Sequence, residues 1–118
     1  MRDLLKLPKP KVPPEQADAL ISNRIKLGRR AMVQPYERDS SGAEHRYELW
    51  DSENRDFLCQ LFDTEEVALE YDVVANYRYS EPPPSEARDQ ELKDRFELKI
   101  KWFKELARRI SHHFSKMD

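Results

Sequence analysis

The chain has 118 residues, 38 % hydrophobic and 37 % charged, with 21 Lys/Arg against 23 Asp/Glu. That is one domain's length, with a small core under an unusually charged surface, since soluble domains run roughly 45–50 % apolar and ~25 % charged. Two glycines, one cysteine and no apolar run of ~18 residues exclude a glycine-rich phosphate loop, an internal disulfide or thiolate metal cage, and a membrane-spanning helix.

Residues 1–14, MRDLLKLPKPKVPP, form a proline- and lysine-rich arm with no secretory leader pattern. Pro8, Pro10, Pro13 and Pro14 favour extended backbone. The arm is free, latched to the domain through Leu4, Leu5, Leu7 and Val12, or, on the weak Pro10-x-x-Pro13 pattern, a ligand for a proline-recognising domain. A single domain is expected over 15–118.

The first predicted helix covers residues 14–30. Pro14 suits a first-turn position, and Glu15 and Asp18 suit the positive helix end. Ala17, Leu20, Ile21, Ile25 and Leu27 make its apolar stripe, and Gly28 is read as its stop.

Residues 31–79 read as an antiparallel meander of about four strands. The first, AMVQPYER, carries Pro35 and so belongs at an edge. HRYELWD alternates Tyr47 and Leu49 with charged residues, and RDFLCQLF puts Phe57, Cys59 and Leu61 in phase. The fourth shows the longest alternation, with Val67, Leu69, Tyr71, Val73, Ala75, Tyr77 and Tyr79 at every second position. A helix capped by Thr64 competes for this last segment, but it would strand Leu69 and Val73 on a polar face, so the strand is preferred.

Prolines 82–84 end the meander within a spacer at 81–84. Ser85 then caps a long amphipathic helix running to about residue 116. Phe96, Ile100, Phe103, Ala107, Ile110, Phe114 and Met117 recur at heptad spacing, with Trp102 and Leu106 widening the stripe. Such a helix spans roughly 45–50 Å, longer than a compact domain of this size. The seam therefore either covers the chain's own sheet or meets a partner. The expected fold class is α+β: N-terminal helix, meander, long C-terminal helix.

Charge is segregated along the chain. Residues 1–38 carry nine Lys/Arg and four Asp/Glu, residues 39–91 four and fifteen, and residues 92–118 eight and four. The two basic ends either self-pair with the acidic middle or present a cationic surface.

Catalytic chemistry has few candidates. His112 and His113 are adjacent on a helix and diverge by about 100°, so they cannot share a metal, and Cys59 reads as core. Asp63, Glu65 and Glu66 read as a solvated turn. No cofactor or metal is expected. Metal-independent RNA cleavage of the bacterial toxin type would need His45, Arg46, Tyr47, Arg78 and Tyr79 on one sheet. Nucleic-acid binding would use Arg24, Lys26, Arg29, Arg30, Lys101, Lys104, Arg108 and Arg109, although the isoelectric point near 6.0 is far below that of a committed binder. The preferred expectation is a cytoplasmic, non-enzymatic interaction module. It would self-associate or engage a protein partner through Phe96, Ile100, Trp102, Phe103, Leu106, Ile110 and Phe114.

Overall fold

The computed structural model describes residues 8–32, 40–74 and 85–114, with side chains described at all of these but 40, 41, 43, 85–89, 113 and 114. Four helices account for the described secondary structure: α1 (Pro14–Met32), α2 (Ser40–Leu61), α3 (Glu66–Val73) and α4 (Ser85–Phe114). The expected meander is overturned. No strand occurs among the described residues, and the architecture is a helical bundle rather than an α+β fold.

α1 opens on Pro14, whose missing N–H is no loss in a first turn, and Arg29 and Arg30 occupy its last turn, where cations suit the dipole. Ala17, Ile21 and Gly28 are buried along it. Gly28 does not stop the helix. A Cβ there would lie 2.5 Å from Trp50 Cε2 and 2.8 Å from its Nε1, so glycine lets the indole of α2 lie on the α1 backbone. Trp50 Nε1 donates to the Arg24 carbonyl at 2.8 Å, tying the two helices at that crossing.

The segments read as the second and third strands form one helix, α2. Its buried residues are Tyr47, Trp50, Asn54, Leu58 and Leu61, spaced by three or four along one face. The polar Asn54 in that stripe hides its period, while Leu49, which sustained the strand alternation, is 56 % exposed. Residues 31 and 32 of the supposed edge strand finish α1, and residues 33–39 lie outside the described set.

α3 replaces the start of the supposed fourth strand; residues 75–79 of that segment lie outside the described residues. Thr64 Oγ1 accepts the Glu66 N–H at 3.2 Å at its entry, and Val74 leaves in extended conformation. Val67, Ala68 and Tyr71 turn inward. Leu69 and Val73 do project into solvent, at 60 % and 61 % exposure. The helix accepts this exposure while it buries Val67, Ala68 and Tyr71 in the core and brings the Tyr71 hydroxyl to Asp51 and Asn54.

α4 is 30 residues long, about 45 Å at the standard rise, which matches the 50 Å long axis of the molecule. Phe96, Ile100, Phe103, Leu106 and Ile110 are buried against the other helices. The core centres on rings: Trp50 lies 5.2 Å from Phe96 and 6.2 Å from Phe103, and Tyr71 lies 5.2 Å from Trp102 and 5.4 Å from Phe103. The described part of the arm is docked. Pro10 bridges to Phe62, Lys11 N donates to the Leu61 carbonyl at 2.8 Å, and Val12 packs on the core.

Candidate functional site

Two polar constellations stand out, one closed and one open. The closed one sits where α2, α3 and α4 meet. The Tyr71 hydroxyl donates to Asp51 Oδ1 at 2.5 Å and accepts from Asn54 Nδ2 at 2.9 Å. Asn54 Oδ1 in turn accepts from Arg24 Nε at 2.7 Å. From α4, Lys99 Nζ donates to the Tyr71 carbonyl at 2.9 Å, lies 3.3 Å from Asp51 Oδ1 and stands 3.8 Å over the Tyr71 ring. Burial and the Asp51 carboxylate push the Tyr71 hydroxyl well above the ordinary phenol range. Burial also draws the Lys99 ammonium below the ordinary lysine range, with Asp51 partly offsetting it. With Tyr71 at 0 % and Lys99 at 3 % exposure, no substrate reaches these groups. With Arg24 of α1 bonded to Asn54, the network ties all four helices together.

Beside it, Trp102 Nε1 donates to Glu70 Oε1 at 3.2 Å, and Arg109 Nη1 lies 3.7 Å from the same oxygen. The second oxygen, Glu70 Oε2, is buried without a hydrogen-bond partner.

The open constellation lies between α1 and α4. The helices run antiparallel: Arg29 on α1 pairs with Glu97 near the middle of α4 at 3.7 Å, while Asp18 near the start of α1 faces the level of His112 at the end of α4. Between them is an open groove of about 890 Å³. Its floor is apolar, from Ile21, Ile25 and Ala107. Its walls carry Lys26 and Arg29 from α1 and Lys104, Arg108 and His112 from α4, against the single lining carboxylate of Asp18. Arg108 is held by Glu105, one turn back on the same helix. Lys26 and Lys104 pair with no carboxylate among the described residues.

The sequence-predicted residues divide sharply. Of the partner seam, Phe96, Ile100, Phe103, Leu106 and Ile110 form the chain's own core. Trp102 is half-buried on Tyr71. Phe114 closes α4, and its side chain lies outside the described set. Of the basic set, the groove gathers Lys26, Arg29, Lys104 and Arg108. Arg24 is turned to α2, where it also reaches the Trp50 carbonyl and Glu53, and Arg109 is turned to Glu70 on α3. Arg30 and Lys101 are exposed and do not line the groove. The sheet required for RNA cleavage is absent among the described residues. His45 is exposed on α2 while Tyr47 is buried, and Arg78 and Tyr79 lie outside the described set. Sequence reasoning missed Asp18, Ile21, Ile25 and Ala107 as groove residues. The available signal was the pairing of apolar and basic positions one turn apart on both helices.

No group of three or more His, Cys, Asp or Glu among the described residues is arranged to hold a metal, and no described helix is long and apolar enough to cross a membrane. Comparisons with protein-family models, curated proteins and solved structures find no match.

Proposed function

We propose that the chain is a non-catalytic binding module that holds an acidic, amphipathic segment of a partner protein along the α1–α4 groove. The observation that carries this reading is the pairing of an aliphatic floor with cationic walls, of which Lys26 and Lys104 pair with no carboxylate among the described residues. An anionic occupant would meet these two lysines, one on each wall, while covering Ile21, Ile25 and Ala107. Among the described residues no Phe, Tyr or Trp lines the groove to stack a base. The chain as a whole carries a net charge of −2. The aliphatic floor is what favours an acidic amphipathic polypeptide, which covers it with apolar side chains, over a nucleic acid, whose backbone offers only charge.

The test is fluorescence anisotropy with a labelled acidic amphipathic peptide, a scrambled peptide of the same composition, and single- and double-stranded oligonucleotides. The amphipathic peptide is expected to bind, weaken as salt rises, and lose most of its affinity in Lys26→Glu/Lys104→Glu. Tighter binding of the oligonucleotides, or equal binding of the scrambled peptide, overturns the reading.

A further inference from the structure

The chain carries a ligand of the kind the groove would accept. α3 is an eight-residue helix whose outer face bears Leu69 and Val73, one turn apart and both mostly exposed. Glu65 and Glu66 stand one turn before Leu69, and neither makes an ion pair among the described residues. Acidic and aliphatic on one face, it complements an aliphatic floor between basic walls. The lengths also agree. Eight residues rise about 12 Å, the same as Lys104 to His112 along the α4 wall and somewhat less than the about 16 Å from Asp18 to Arg29 along α1.

The α3 of the same molecule cannot fill the groove. It meets α4 through Tyr71–Trp102 and Glu70–Arg109. Lys104, Arg108 and Ser111 project from α4 roughly 180–240° around the helix from Trp102, on the far side.

We infer that the groove takes a second copy of this chain, with the Leu69–Val73 face of α3 in one molecule seated between α1 and α4 of the next. This inference rests on the reading of the groove as a site for an acidic amphipathic helix. The two surfaces are different, so the contact is heterologous and adds molecules head to tail. A two-turn helix in a groove buries less than the ~1,200 Å² of a stable interface, so association is weak, grows with concentration and falls with salt. A partner helix that enters the groove displaces the neighbouring copy.

The experiment is sedimentation velocity of the full chain across a dilution series, with two variants whose altered side chains are exposed. Lys26→Glu/Lys104→Glu disables the groove and leaves α3 intact, whereas Leu69→Ser/Val73→Ser disables α3 and leaves the groove intact. The wild type is expected to increase in mean mass with concentration, and each variant alone to stay at 14.1 kDa. An equimolar mixture of the two variants is expected to form a one-to-one dimer and nothing larger, because the remaining groove and the remaining α3 face are both disabled. A wild type that stays monomeric, variants that associate as the wild type does, or a mixture that stays monomeric overturns the inference. Should the groove variant fail to fold, an excess of the acidic amphipathic peptide added to the wild type replaces it and must return the mass to that of the monomer. Peptide binding by Leu69→Ser/Val73→Ser separates the two claims. If that variant binds the peptide while the wild type does not self-associate, the self-contact is wrong and the groove reading stands. If it does not bind, both fail.

Discussion

Replacing Gly28 by alanine inverts an ordinary rule. In an open helix interior Gly→Ala stabilises by ~1 kcal/mol, because glycine gives up more backbone freedom on folding. At this position the new methyl would lie 2.5, 2.7 and 2.8 Å from Cε2, Cζ2 and Nε1 of Trp50, where carbon atoms pack best at about 3.5–4.0 Å. The indole must retreat by about 1 Å to restore that spacing. It has little room, being 3 % exposed with Tyr47, Phe96 and Phe103 around it and its N–H tied to the Arg24 carbonyl. Overpacking of this kind costs about 1–3 kcal/mol, and straining the indole hydrogen bond adds ~1 kcal/mol. After the helix-propensity gain, Gly28→Ala is expected to lose about 1–3 kcal/mol. Urea denaturation followed by helical circular dichroism reads this as a midpoint lower by roughly 1 M, given slopes of about 1–3 kcal/mol per molar urea. In a Trp50→Leu background the obstruction is gone, and the same Gly28→Ala change is expected to raise stability by ~1 kcal/mol. A wild-type background in which Gly28→Ala is neutral or stabilising would refute the close approach of α1 and α2.

The closed network makes two further predictions. Tyr71→Phe keeps the ring but leaves Asn54 Nδ2 and Asp51 Oδ1 without the hydroxyl, so it is expected to cost about 1–3 kcal/mol in the same denaturation assay; no measurable loss would mean that these groups find other partners. Lys99 supplies a pH signature. Burial lowers its pKa in the fold, whereas the unfolded lysine titrates near 10.5. Between those two values the unfolded state binds more protons, so stability rises with pH in that window. Tyr71 and Tyr47, both raised by burial, act in the opposite direction only above their unfolded value of 10.0, where the unfolded phenols ionise first. As pH rises toward 10, the stability of the wild type relative to Lys99→Met is therefore expected to grow. A flat or shrinking difference would show that Lys99 is not held down.

The two ends of the chain were legible in its letters. Pro14 and Ser85 begin helices where read, and the Phe96–Ile110 spacing forms the buried stripe of α4. The middle was misread because strand and helix periods overlap over short stretches. In α2 the inward residue midway along the stripe is Asn54, whose burial makes sense only once Tyr71 and Arg24 are beside it. Tertiary hydrogen bonding thus decided a position that hydropathy marked as polar. In α3 the objection to a helix was that Leu69 and Val73 would face water, and they do. The groove was half legible. Lys26, Arg29, Lys104 and Arg108 were recognisable as cations on two helices, but nothing local says that the helices run antiparallel side by side. The same blindness assigned the α4 seam to a partner: its mates, Trp50 and Tyr71, lay in segments read as sheet.

The basic groove between the first and last helices is proposed as the binding surface. Amide chemical-shift mapping of the Leu69→Ser/Val73→Ser variant with the acidic amphipathic peptide examines that surface residue by residue. Shifts confined to residues 18–29 of α1 and 104–112 of α4, reversed by salt, are expected. Shifts that instead cluster on α2 or α3, or a spectrum the peptide leaves unchanged, would contradict it.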